Sequence, residues 1–206
     1  MVELWSDEDF RAVVKPVGVD VEREFGAAGS VIHRIDVPVG GVLLLARTPR
    51  GAEAGGRLFA GRGVEKVYWA VTAGLLPGGS GELRHWLEHT QQGNKTRAYR
   101  EAGAGRLEAW LTYRELARGD RYPLYEIVLG TGRTHQIRAQ LAAAGAPVKG
   151  DLKYGAPRSN PGGGISLLAR RLRFTHPFTG REIVLVAEPP AGDNLWSALV
   201  RLAGES

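Results

Sequence analysis

Five consecutive apolar residues, Val42-Leu43-Leu44-Leu45-Ala46, follow a stretch bearing proline and glycine, Val37-Pro38-Val39-Gly40-Gly41. An apolar run this short, bounded by turn residues, reads as a buried strand. The fold has to be organised around it. Directly before the loop stand His33-Arg34-Ile35-Asp36, a histidine, an arginine and an aspartate within four residues. A carboxylate on a stiff loop at a strand edge is well placed to act on a substrate. An Arg-x-Asp pair in a turn is more often a plain ion pair or an Asx-turn, so this stretch alone leaves both readings open.

Composition narrows the setting. The 206 residues suffice for one large domain, and 43% hydrophobic content suits a chain that buries a real core. Lysine and arginine number 27 against 22 acidic residues, a net charge of +5, and arginine supplies nearly all of the positive charge. That bias suits a polyanion, because the guanidinium fork matches phosphate and stacks on bases. A GC-rich coding bias would enrich the same residues. There is no cysteine, which excludes disulfides and cysteine-type metal sites. The first residues lack the basic-then-apolar order of a signal peptide, and no apolar run reaches membrane-spanning length. The expectation is a cytoplasmic protein.

Along the chain, residues 10–14 read as a first strand, and Lys15-Pro16-Val17-Gly18 as the turn that ends it. A Gly/Ala loop occupies 26–29. Thr48 followed by Pro49 predicts a capped helix over 49–60, weakened by its internal glycines and stopped by Gly61 and Gly63. Residues 64–73 predict a strand with Lys66, Tyr68 and Ala70 on one face and Val67, Trp69 and Val71 on the core face. Strands at about 82–88, 95–100, 106–116 and 122–129 suggest an antiparallel meander exposing Arg84, His85, His89, Lys95, Arg97 and Arg100. Gly130-Thr131-Gly132-Arg133-Thr134-His135-Gln136-Ile137-Arg138 then runs from strand to helix. Thr134 is the expected N-cap, and Ile137 and Leu141 the expected buried face. A helix N-terminus beside two arginines suits an anion. The Gly-x-Gly is no dinucleotide fingerprint, since its third glycine is missing. A strand at 166–175, a turn at Pro177–Gly180, a returning strand at 183–187 and a helix capped by Asp193 complete the chain. No internal repeat is visible, and the expectation is a single domain spanning 1–206.

Four ordered segments carry a resemblance. Lys15-Pro-x-Gly18, His33-Arg-Ile-Asp36 with Gly41-Val-Leu-Leu-Leu-Ala46, Lys66-Val-Tyr68-Trp-Ala70, and Gly132-Arg-Thr-His-Gln-Ile-Arg138 followed by Gly150-Asp151 and Tyr154-Gly155 resemble the RluA-type pseudouridine synthase family. Leu168-Ala169 with Phe174-Thr175-His176-Pro177 and Gly180 resembles its last motif, so the likeness covers about residues 10–190.

The resemblance implies an α/β (α+β) catalytic domain: a largely antiparallel mixed sheet flanked by helices, with an RNA-binding cleft. It implies isomerisation of uridine to pseudouridine in structured rRNA or tRNA, without cofactor or metal. By the same resemblance Asp36 is the nucleophile. Tyr68 stacks on the base and assists proton removal from C5, and Arg138 is the basic partner of the aspartate. Arg34 holds the RNA with its target base out. His33, Lys66, Arg133 and His135 join it as candidate RNA contacts. An attacking carboxylate must be ionised, and a cation beside it favours that state. The chain departs from the family after Asp36, where a basic residue and a later Thr-Ser-Gly are replaced by Val37-Pro38-Val39-Gly40-Gly41. The expectation is a catalytic domain without the N-terminal RNA-binding appendage of many relatives. The expected partner is RNA, bound by a monomer. The competing expectation is a non-catalytic RNA-binding protein that kept the fold.

Overall fold

The computed structural model describes residues 1–26, 30–61 and 63–204. Of the expected Gly/Ala loop at 26–29, Gly26 ends a helix and residues 27–29 lie outside the described residues. The chain folds into two compact units, one of Met1–Tyr68 with Leu168–Pro189, the other of Trp69–Leu167 with Pro190–Ser206.

The first unit is built on β1 (Val2–Ser6), β2 (Phe10–Lys15) and β3 (Gly40–Ala46), joined as an antiparallel ladder. Phe10 faces Ala46 and Lys15 faces Gly41 across the β2–β3 register. All seven residues of β3 are buried, which accounts for the uninterrupted apolar run. On its other side β3 meets β9 (Leu167–Thr175) in parallel, Gly41 opposite Ala169, and β10 (Glu182–Val186) returns antiparallel on β9. The approach of β9 depends on Gly41. A β-carbon there would lie 2.3 Å from the Ala169 carbonyl oxygen, and the backbone sits at φ +124°.

Two helices belong to this unit. Asp20 caps α1 (Val21–Phe25), accepting the Glu22 and Arg23 N–H groups. Thr48 caps α2 (Pro49–Ala60) through Gly51, as expected, with Pro49 at its start. Two of the α2 glycines that weaken a helix in isolation serve as contact surfaces. Gly51 faces the Asp9 carbonyl, and Gly55 faces Ile32, each too closely for a β-carbon. β4 (Val64–Val71) starts in this unit and ends in the next, with Val67, Trp69 and Val71 buried on one face as predicted.

The second unit carries the meander: β5 (Ser80–Thr90), β6 (Lys95–Tyr99), β7 (Leu107–Arg118) and β8 (Pro123–Leu129), in the spatial order β8-β7-β5-β6 and antiparallel throughout. α3 (Gln136–Ala143) packs on β5 and β6. Leu87, Ala109, Ala139 and Tyr154 form a core cluster with Ala98 and Ala142 at its edge. α4 (Asn194–Leu202), capped by Asp193, packs on β7. Among the described residues no helix is long and apolar enough to cross a membrane.

The structure corrects the sequence reading in three places. β1 and α1 were not expected; both are short, and β1 alternates only weakly between apolar and polar residues. The cap of α3 is His135, not Thr134. His135 adopts a left-handed conformation at φ 53° and makes no side-chain capping bond, while the Thr134 carbonyl accepts a bond from the Thr96 hydroxyl. Nor does α3 have a single buried face: every residue from Gln136 to Leu141 is buried.

His33 also belongs to the framework. Its Nε2 accepts the Leu44 N–H at 3.0 Å, and its ring stacks on Phe59 with centroids 4.3 Å apart. Burial, with the Lys66 charge second, pushes its pKa from 6.5 down to about 3. A protonated ring could no longer accept the Leu44 bond, so the neutral form is the folded form.

Two outcomes follow from these contacts. Gly41→Ala is expected to cost about 2 kcal/mol or more in urea unfolding, since it combines a left-handed backbone with a clash against β9; a change within experimental error would show that β9 does not depend on this approach. Between pH 6.5 and 3 the unfolded chain holds the His33 proton that the folded chain does not, so stability falls as pH drops through that window. Urea midpoints at about pH 7 and about pH 5 should therefore differ less in His33→Gln than in the wild type, and equal differences would remove His33 as the source.

Candidate active site

Asp36 stands at the head of a turn in which the Val39 N–H donates to the Asp36 carbonyl at 2.9 Å. The turn is gripped on both sides. Ile35 is buried in a cluster with Val13, Val21, Leu43, Leu45 and Ala169, and Val39 is buried before the chain enters β3. Asp36, between these anchors, is half-buried.

Lys15 supplies a third grip. Its side chain is fully buried at the end of β2, and its ammonium donates to the carbonyls of Pro16, Val19 and Val37 at 3.0, 2.9 and 3.3 Å. The Gly18 N–H donates to the same Val37 carbonyl at 2.8 Å. Lys15-Pro-x-Gly18 is thus more than the end of a strand, because it fastens the residue that follows Asp36. Burial lowers the Lys15 pKa to about 8, opposed by the negative charges of Asp36 and Asp20. At neutral pH a cation therefore lies within electrostatic reach of Asp36.

Tyr68 packs its ring against the same cluster that holds Ile35. Burial raises its pKa, and the Asp36 charge raises it further. The side chain is a phenol that keeps its proton through the physiological range, with a flat ring face of the kind that suits a base. Lys66, one turn of the pleat away on the same face, is half-buried with its ammonium 6.0 Å from the Phe59 ring centroid, and burial lowers its pKa. Arg34 is exposed, 3.5 Å from Glu22.

Arg138, Arg133 and His135 belong to the second unit. Arg138 is buried on α3, and its guanidinium grips Asp151 side-on, Nε to Oδ2 at 2.6 Å and Nη2 to Oδ1 at 2.9 Å. Its Cζ lies 4.8 Å from the ring centroid of Tyr154. The Tyr154 hydroxyl accepts the Thr96 N–H at 2.8 Å and shares a 2.9 Å hydrogen bond with Nδ1 of His135. Arg133 is exposed, its Nε donating to the Glu108 carbonyl and its backbone N–H to Gln136 Oε1.

Of the five residues read as RNA contacts, Arg34 and Arg133 are at the surface and Lys66 is half-buried. His33 and His135 each commit a ring nitrogen to a bond inside the protein, which gives both a structural duty. Asp151 and Tyr154 were legible only as motif letters. They lie 13 and 16 residues beyond Arg138, in and after a turn, where no helical or strand period relates them. Among the described residues no group of three or more histidines, aspartates or glutamates gathers as it would around a metal ion.

These elements have counterparts in other proteins. The computed structure superposes on human RNA pseudouridylate synthase domain containing 1 with a TM-score of 0.77 at 24% identity, covering 92% of this chain and 83% of that one. Human RNA pseudouridylate synthase domain containing 4 gives a TM-score of 0.76 at 22% identity, covering 98% and 93%. At these identities the likeness shows the fold. In sequence the chain is 32% identical to an uncharacterised RNA pseudouridine synthase of Mycobacterium bovis, over 100% of this chain and 74% of the relative. It is 30% identical to tRNA pseudouridine synthase C of Vibrio vulnificus, over 97% and 94%. A family model described as RNA pseudouridylate synthase matches residues 12–143, a span that takes in the Lys15 turn, Asp36, Tyr68 and Arg138. With that match over more than half its length, the chain belongs to the RNA pseudouridylate synthase family, the isomerases that the resemblance in its four motifs implied.

Proposed function

We propose that the chain converts uridine to pseudouridine in a structured tRNA or rRNA segment, with Asp36 as the nucleophile and Arg138 as the basic residue of the reaction. The observation that carries this reading is the bracing of Asp36: a half-buried carboxylate on a turn fixed by Lys15, Gly18, Ile35 and Val39, close enough to Tyr68 that its charge raises the phenol's pKa. A preorganised nucleophile loses little freedom when the substrate arrives.

The reaction is an isomerisation. Asp36 bonds to the nucleoside and is released again: the C1′–N1 bond breaks, the uracil turns, a C1′–C5 bond forms, the bond to Asp36 breaks, and the proton lost from C5 is balanced by one gained at N1. No oxidant or external group enters. The target base has to leave its stack before a side chain can reach it, at a cost of a few kcal/mol that is smallest in loops. The Tyr68 ring gives the extruded uracil a flat face. Exposed Arg34 and Arg133, with Lys66, supply positive charge for the RNA backbone. tRNA is the substrate named for the Vibrio relative and for tRNA pseudouridine synthase C of Salmonella typhimurium, which is 32% identical over 89% of this chain. On this reading the protein works as a monomer in the cytoplasm, on RNA and without a cofactor.

The loop after Asp36 replaces the family's basic and hydroxyl residues with Val37-Pro38-Val39-Gly40. The Val37 contribution to the turn comes from its backbone carbonyl, held by Lys15 and Gly18, so the bracing does not require the missing side chains.

The test incubates unmodified total RNA with the wild type and with Asp36→Ala, then maps pseudouridine by carbodiimide adducts that stop reverse transcription. The expected result is discrete stops with the wild type and none with Asp36→Ala, while both retain salt-dependent RNA binding. Near-normal turnover by Asp36→Ala would overturn the assignment of the nucleophile. Binding by both proteins with no stops anywhere would leave a non-catalytic RNA-binding protein.

A further inference from the structure

The second unit contains a polar assembly that no motif role accounts for. Asp151 precedes and Tyr154 ends a single turn of 3-10 helix, Leu152–Tyr154, and both address the Arg138 guanidinium. The Asp151 carboxylate takes its Nε and Nη2 edge at 2.6 and 2.9 Å, with both side chains at most 5% exposed. The Tyr154 ring lies 4.8 Å from its Cζ. Two bonds in the guanidinium plane and a ring beside it fix both the rotation and the tilt of the group. The Nε and Nη2 bonds to Asp151 set which way the rest of the guanidinium is turned.

The turn is itself held. The Tyr154 hydroxyl accepts the Thr96 N–H from β6, and Lys153 donates to the Gly93 and Asn94 carbonyls at the tip of the β5–β6 hairpin, both at 3.0 Å. Thr96, buried between them, bonds His89 at 3.0 Å and the Thr134 carbonyl at 2.8 Å. The turn that grips Arg138 is therefore itself fastened to the hairpin.

We infer that Asp151 and Tyr154 are positioning residues for the reaction, acting through Arg138: together they hold its guanidinium in one orientation. This inference rests on the reading of Arg138 as a residue of the reaction. Asp151 contributes charge and the in-plane bonds, and Tyr154 contributes the face of its ring.

The experiment has two readouts. In steady-state pseudouridine formation on the RNA identified by mapping, Asp151→Asn and Tyr154→Leu are expected to lower kcat by about 10- to 100-fold, the scale on which misplacement of a reacting group is felt. KM for RNA should stay within about threefold. Tyr154→Phe, which keeps the ring but releases the Thr96 bond, should lose less kcat than Tyr154→Leu, and Asp151→Glu should recover part of the Asp151→Asn loss. In an Arg138→Met background, adding Asp151→Asn should change kcat by less than about twofold, because the group it acts through is gone. A purely structural Asp151 would cost the same factor in both backgrounds.

The second readout needs no activity. By NMR, the Arg138 Nε–H should be protected from solvent exchange in the wild type and in Tyr154→Phe, and unprotected in Asp151→Asn. If Asp151→Asn fails to fold, the contrast of Tyr154→Leu with Tyr154→Phe decides in its place. Folded Asp151→Asn and Tyr154→Leu with wild-type kcat, or Nε–H protection indifferent to Asp151, would overturn the inference. A wild type that makes no pseudouridine yet shows the expected exchange pattern would instead overturn the reaction assignment and leave the anchoring of Arg138 in place.

Discussion

A buried ammonium organises the first unit. Lys15 has no exposed surface, and its three donors are spent on backbone carbonyls from two separate segments of chain. Buried cations are costly unless every donor is satisfied and counter-charges stand nearby. Lys15 meets both conditions, since its hydrogens are shared among Pro16, Val19 and Val37, and Asp36 and Asp20 raise its proton affinity against the effect of burial. A carbonyl oxygen is an acceptor that any residue offers. The Asp36 turn can therefore be held at Val37 through its backbone, whatever side chain stands there.

The same economy of backbone contact recurs at the strand that follows. β9 lies against β3 only because Gly41 has no β-carbon and accepts a backbone at φ +124°. His33 reaches forward to bond the Leu44 N–H, so the residues just before Asp36 and the strand just after it are tied to each other. The consequence for chemistry is rigidity. Asp36 has Ile35 in the core on one side and Val39 on the other, and the range of orientations open to it is small.

Much of the fold was legible. The apolar run of β3, the Thr48-Pro49 start of α2, the alternation of β4, the meander and the Asp193 cap all follow from local rules, and the structure has each of them. What escaped had physical reasons. β1 and α1 are five residues long, too short for a period to stand out. Thr134 has the chemistry of a cap, but its neighbour His135 takes the capping position because tertiary bonds to Tyr154 and Thr96 hold this segment in place. The glycines of α2 argued for a weak helix; Gly51 and Gly55 are the surface on which Asp9 and Ile32 pack.

The sequence by itself determined which motifs are present and the order in which they come: Lys15-Pro-x-Gly18, then the segments bearing Asp36, Tyr68 and Arg138, each with an informative local spacing. It also determined the periodic elements, because hydrophobic alternation and capping act over a few residues. The tertiary structure alone decided what these side chains touch. Lys15 looked like the end of a strand and is a clamp on Val37, and Tyr68 is kept a neutral phenol by its surroundings. Arg138 finds its carboxylate and its ring in Asp151 and Tyr154. These partners are brought together by turns and by burial, and neither obeys a sequence period. Burial and electrostatics depend on distances in space, which a linear spacing of residues does not encode.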